Sequence, residues 1–187
     1  DGRLPGVSMR ASHTVTFGAY KVGLLAGPAS LRAGRLELVD IGLTEYLAEP
    51  VLEVLELSDG QLFAQQLTPA IDDHKYTRGV LGVLAGSAQY PGAAHLCVQG
   101  ALAGPSSMVR YLGDVELGRR VVDRHPEVVL EPGQVQAFVV GSGSEDSPGP
   151  VRQALAAGVR VVVDASGLAH LPVQFGVDAL LTPHAGE

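Results

Sequence analysis

Between Arg78 and Arg110 the sequence carries no Asp, Glu, Lys or Arg. A run that long without charge belongs inside a protein or inside a membrane. A membrane span needs about 20 predominantly apolar residues in a row. Here Ser87, Gln89, Pro91, His95, Gln99 and Pro105 break the run. The spacing instead predicts a buried strand over 80–84 and a helix over 91–102. Pro91 suits a first helical turn, where its missing N–H costs little, and Gly104-Pro105 ends the helix. Both elements fit the centre of an α/β domain, whose sheet is covered on both faces and excludes charge.

The rest of the chain repeats this alternation. Thr14-Val15-Thr16-Phe17-Gly18 and the 36–42 stretch read as strands, joined by a Gly/Pro/Ala loop over 23–34. The 44–68 stretch is richer in acid, with Glu45, Glu49, Glu53, Glu56 and Asp59, and reads as a linker and boundary. Beyond it, strands are predicted over 108–112, 136–140, 159–163 and 177–181, with a short helix over 151–157 closed by Gly158. Strand–helix alternation predicts an α/β fold, a mostly parallel sheet with helices on both faces. Ligand sites in such sheets lie beyond the carboxyl ends of the strands. Gly86-Ser87, Gly141-Ser142-Gly143, Asp164 and His184 all fall at predicted strand ends.

Charge and composition narrow the function. The formal net charge is −7, so no clustered basic face for nucleic acid is expected. Apolar residues make up 46% and charged residues 18%, which excludes an intrinsically disordered chain. With 24 Gly and 12 Pro, the chain is rich in tight turns. Cys97 is the one cysteine, which excludes an internal disulfide and a cysteine-only zinc site and fits a reducing, cytoplasmic compartment. Asp1-Gly2-Arg3-Leu4-Pro5-Gly6 does not form a signal peptide, and the missing Met points to sequence upstream.

Each candidate residue has two readings. Gly141-Ser142-Gly143-Ser144 after a strand lets backbone N–H groups approach a ligand, or forms only a tight turn. Asp164 either orients a reacting group at the sheet's mouth or caps the next segment through Ser166 or Gly167. His184, in Thr182-Pro183-His184-Ala185-Gly186-Glu187, sits on a stiffened strand end with Glu187 three residues on. His74-Lys75 offers charge to a phosphate or lies in a solvated loop. Cys97, in an apolar helix, reads as a small core residue rather than a nucleophile. The six histidines show no metal-ligand spacing.

The pieces His74-Lys75-Tyr76-Thr77-Arg78-Gly79, Ala85-Gly86-Ser87, Tyr90-Pro91-Gly92-Ala93-Ala94 and Met108-Val109-Arg110-Tyr111 run in this order along the chain. Val139-Val140-Gly141-Ser142-Gly143, Val163-Asp164-Ala165 and the final hexapeptide follow. Together they resemble the ribokinase-like domain of NAD(P)H-hydrate dehydratases. Pro5-Gly6, Thr14-Val15-Thr16-Phe17-Gly18, Lys21 and Asp40-Ile41-Gly42-Leu43 resemble the tail of the NAD(P)H-hydrate epimerase domain, which precedes the dehydratase in bifunctional repair proteins. The resemblance therefore implies an epimerase tail over 1–45, a linker or domain start over 46–71, and the first part of a ribokinase-like domain over 72–187, incomplete at its C-terminus.

The resemblance also implies the chemistry. Hydrated NADH or NADPH is phosphorylated on its ring hydroxyl by ADP or ATP, and loss of phosphate restores the coenzyme. Mg2+ is implied for this step, K+ for the epimerase part, and homo-oligomeric assembly for the whole. By position, Ala93, Gly141 or Gly143, and His184 match substrate-binding positions, and Asp164 and Glu187 match supporting polar groups. The family's Gly-Ser-Gly-Asp, which holds the catalytic Asp, lies beyond the point where Glu187 falls, so the 187-residue chain is expected not to turn over alone. Two loops depart from the pattern: Gly141-Ser142-Gly143-Ser144-Glu145 replaces Gly-Pro-Gly-Leu-Gly, and Pro105-Ser106-Ser107 replaces Gly-Ala-Gly. A small-molecule kinase of the same superfamily and a binding-only protein are the alternatives.

Overall fold

The computed structural model describes residues 2–55 and 57–184. They divide into two compact units, Asp1–Gln66 and Leu67–Glu187. In the first, β1 (His13–Phe17) runs parallel to β2 (Arg35–Val39), with Val15 opposite Glu37. The connection over 23–34 is not the plain loop its composition suggests. It winds into two single turns, α1 (Val22–Leu25) and α2 (Ser30–Ala33). Gly34, at φ +64, lets the chain enter β2, since a Cβ there would lie 2.4 Å from the Ala11 carbonyl oxygen. The Lys21 ammonium donates to Thr16 Oγ1 at 3.0 Å and to the Phe17 and Ala19 carbonyls at 2.8 Å, closing the end of β1.

The acidic 44–68 stretch contains more order than a linker. A 3-10 turn forms over Thr44–Tyr46, and an 11-residue helix, α3, spans Leu57–Leu67. Gly60 and the mixed polar face hide its periodicity, but Asp59 stands in its first turn, where the helix dipole favours an acid.

The second unit carries five parallel strands among the described residues. They are β3 (Val80–Leu84), β4 (Met108–Tyr111), β5 (Ala137–Val140), β6 (Arg160–Val163) and β7 (Ala179–Leu181), in spatial order β4-β3-β5-β6-β7. Their side chains alternate between two cores, as a strand period of two demands. On one face α4 (Pro91–Ala103) and α5 (Val115–Arg124) seal Val83, Val109 and Tyr111 with Val98 and Val121. On the other, α6 (Gly149–Ala156) covers Leu84, Phe138, Val140, Val161 and Val163 with Val151 and Ala154. Helices therefore cover both faces, as the alternation predicts.

Helix α5 was not among the predicted elements. Its signals are local: the Asp114 carboxylate accepts a hydrogen bond from the Leu117 N–H at 3.0 Å, and Leu117 and Val121 share the buried stripe at i and i+4. Its charged outer face masked them. Among the described residues no helix is long and apolar enough to cross a membrane.

The strand order locates the crevice. The chain passes from β3 to β4 on one side, then returns to place β5 on the other side of β3. The loops leaving β3 and β5 diverge at this reversal, and ligands bind where such loops diverge.

Candidate functional site

The two diverging loops are interlocked by backbone. Gly141 N–H donates to the Leu84 carbonyl at 3.2 Å, and Gly86 N–H donates to the Ser142 carbonyl at 2.8 Å. Only glycine fits the tightest points. Gly141 has φ +108, and a Cβ there would lie 2.0 Å from the Asp164 carbonyl oxygen. Gly143 has φ +62, and a Cβ there would lie 2.4 Å from the Ala93 Cβ. Ala93, on the first turn of α4, thus meets the loop after β5. Below them the buried Tyr111 hydroxyl donates to the Ala85 carbonyl at 2.9 Å, which fixes the loop after β3. Burial, with the Asp114 carboxylate adding to it, pushes the Tyr111 hydroxyl up to about 12, so it stays a donor.

Asp164 extends this cluster to the neighbouring strands. Ser142 Oγ donates to its Oδ2 at 2.7 Å, and Thr182 Oγ1 donates to its Oδ1 at 2.8 Å. The Ser142 hydrogen bond is the largest cause holding its carboxyl below the usual carboxylate range. Burial opposes it, while Thr182, the Ala165 N–H and nearby His184 reinforce it. The side chain does not cap the following 3-10 segment (Ala165–His170). Its main-chain carbonyl accepts the Gly167 N–H instead, at 3.0 Å, and the Ser166 hydroxyl donates to the Gly141 carbonyl at 3.1 Å. Ala165 itself sits at φ +47, a left-handed conformation that costs about 1 kcal/mol or more for a residue with a Cβ.

His184 is exposed, two residues beyond Thr182 and close enough to influence Asp164. Ala93, Gly141, Gly143 and Asp164 are therefore brought together, with His184 on the side of Asp164. Glu187 lies outside the described residues. Cys97, one turn beyond Ala93, is half buried. Burial pushes its thiol up, against the Ser142 hydroxyl beside it, as suits a core residue and not a nucleophile.

His74-Lys75 is placed differently from its phosphate reading. It lies in the exposed turn that enters the amino end of β3, at the opposite end of the strand from Gly86. A cavity of about 520 Å³ beside the switch point also brings in Asp114 and Gln153, which the sequence reading does not single out. Asp114, Ser144, Glu145 and Gln153 border it with Gly86 and Ser87. Asp114 and Gln153 could have been found from their helices, since Asp114 caps α5 and Gln153 is a polar residue on α6. A larger cavity of about 660 Å³ lies alongside, walled mainly by apolar groups such as Leu130, Pro132 and Phe138.

A family model of the NAD(P)H-hydrate dehydratases matches residues 81–187, a range that holds Ala93, Gly141, Gly143, Asp164 and His184. The chain belongs to that family. Among curated NAD(P)H-hydrate dehydratase relatives, the bifunctional NAD(P)H-hydrate repair enzyme Nnr of Mycobacterium tuberculosis is 42% identical over 200 residues. That match takes in 100% of this chain and 40% of the relative. The Gloeobacter violaceus enzyme of the same name is 31% identical over 215 residues, 98% of this chain and 42% of its own. The chain thus spans about two fifths of the length of these relatives. Among solved structures, the Bacillus subtilis ADP/ATP-dependent NAD(P)H-hydrate dehydratase, co-crystallized with ATP/Mg2+, superposes with a TM-score of 0.55 at 26% identity. It covers 64% of this chain and 49% of its own. A ribokinase-like superfamily protein from Enterococcus faecalis shares the fold, with a TM-score of 0.52 at 16% identity, over 63% of this chain and 49% of its own. The sheet of this dehydratase-family chain is ribokinase-like, and the match does not favour the alternative of a small-molecule kinase.

Proposed function

We propose that this chain is part of a bifunctional NAD(P)H-hydrate repair enzyme and contributes the substrate-binding half of an ADP- or ATP-dependent dehydratase. The observation that carries the reading is the convergence of Ala93, Gly141 and Gly143 at the switch point, with Asp164 and His184 at the adjoining strand ends. Gly141 and Gly143 let the loop after β5 pack directly against the Asp164 carbonyl and Ala93, where any side chain would clash, and so hold these strand ends together. His184 and the ionised Asp164 present polar groups to the hydrated ring and its hydroxyl. Their work is to bind and orient; the carboxylate that takes the proton belongs to the family's Gly-Ser-Gly-Asp motif. Residues 1–45 are read as the tail of the epimerase-like domain, 46–71 as a linker or the start of the dehydratase domain, and 72–187 as the first part of the ribokinase-like dehydratase domain.

ADP or ATP supplies the phosphoryl group that turns a poor leaving group into a good one. Mg2+ accompanies the nucleotide in the Bacillus subtilis relative. Among the described residues no three His, Cys, Asp or Glu side chains come together to hold a metal. A cytoplasmic location and homo-oligomeric assembly follow the family reading.

Two assays test this. The 187-residue chain should bind hydrated NADPH in a calorimeter, with His184→Ala weakening binding about tenfold at little cost in Tm. With ADP or ATP present it should not regenerate NADPH absorbance. A large fall in Tm with unchanged affinity would make His184 a structural residue instead.

A further inference from the structure

Ser142 stands where the family pattern has proline, and its hydroxyl finds a partner across the sheet. We propose that Ser142 is a positioning residue. By donating to Oδ2 of Asp164 while Thr182 donates to Oδ1, it clamps that carboxylate between the ends of β5, β6 and β7 and holds it beside the Thr182-Pro183-His184 segment.

The geometry behind this is continuous. Val140 lies opposite Val163, and Val163 opposite Leu181, so the three strands end in step. Their ladder runs on past those residues. Asp164 N–H donates to the Val140 carbonyl at 3.0 Å, and Thr182 N–H donates to the Val163 carbonyl at 3.1 Å. Each carboxylate oxygen of Asp164 therefore faces a hydroxyl from a different neighbouring strand end. Ser142 is itself held from the other side, because its carbonyl accepts the Gly86 N–H from the loop after β3. Gly141, locked by the Asp164 carbonyl, leaves the preceding backbone no room for a side chain. One residue thus ties β3 to β5 through its main chain and β5 to β6 through its side chain. A proline at this position has no hydroxyl to make the second tie.

The titratable groups around Asp164 are Cys97, from α4 beside Ser142, and His184, beyond β7. An ionised carboxylate that loses one of two side-chain donors becomes easier to protonate. For binding, this proposal rests on the substrate reading above. The clamp itself is a property of the free chain.

Carboxyl-carbon NMR of the full 187-residue chain tests it, with Asp164→Asn to assign the resonance. Ser142→Ala should raise the titration midpoint of Asp164 by about half a pH unit or more. Ser142→Thr, which keeps the hydroxyl, should restore it. Asp73, whose carboxyl is held low by the Ala70 N–H and Thr77, is the internal control and should not move. An unchanged Asp164 midpoint in Ser142→Ala, or no restoration by Ser142→Thr, would overturn the clamp. In calorimetry with hydrated NADPH, Ser142→Ala should weaken binding several-fold and Ser142→Thr should restore it. If the unmodified chain fails to bind hydrated NADPH, the substrate reading falls, while the carboxyl titration still decides the clamp.

Discussion

In the first unit β1 and β2 pair in parallel, yet Val15, Phe17 and Leu38 remain 50%, 55% and 39% exposed. In the second, Leu84, Val140 and Val163 lie side by side on three strands and are 4%, 1% and 0% exposed. Both regions use β-branched and aromatic strands joined by helical crossovers, so strand propensity does not separate them. What differs is coverage. A two-stranded ribbon with two single-turn helices cannot seal its apolar face, whereas five strands with helices on both sides can. The contrast also locates function. The second unit has a rigid platform at its strand ends, and precise sites are built on rigid elements.

The widest separation should appear in amide exchange. The β3, β5 and β6 amides should exchange at least about a hundredfold more slowly than those of β1 and β2. Equal protection in both units would mean that the first is buried against something in solution.

Side-chain truncation sharpens the same contrast. Val140→Ala, which empties a sealed site, should cost about 2 kcal/mol in chemical denaturation, while Val15→Ala should stay within about 0.5 kcal/mol. Gly141→Ala meets both the Asp164 carbonyl and a positive φ, and should cost about 2 kcal/mol or more. Gly60→Ala, in a helix position with open space, should if anything stabilise α3.

Within the second unit the elements readable in sequence were those with a local cause. The 80–84 prediction matches β3, because an unbroken apolar run between Gly79 and Ala85-Gly86 has no other home. Pro91 marked the first turn of α4 for a similarly local reason. Ahead of that unit, the acids and Gly60 of α3 break its helical period, and within the unit the charged outer face of α5 hides it despite its Asp114 cap. The Ser142–Asp164–Thr182 arrangement was not legible at all. Its members are 22 and 18 residues apart, and only the strand order brings them together. His74-Lys75 has the right chemistry for phosphate but sits at the wrong end of its strand, a matter of direction that composition does not carry.

The smallest effect is the pH response of Asp164. Its folded-state carboxyl is held below the ordinary value of about 3.9. Its contribution to stability is therefore fully present above pH 4 or so, and fades as pH falls through the lowered value. Asp164→Asn should flatten that acid limb of a stability-against-pH curve and leave the curve between pH 7 and 8 parallel to the original. A mutant curve that keeps the full acid limb would assign it to other carboxylates.

Hydrated coenzyme is proposed to bind at the strand ends of the second unit. Titrating hydrated NADPH into the isotopically labelled 187-residue chain, and following backbone amide shifts, tests that directly. The expected perturbations centre on the amides of Ala93, Gly141, Gly143, Thr182 and His184, with β1 and β2 unmoved. Shifts centred on His74-Lys75 and the amino ends of the strands, or no shifts at all, would contradict it.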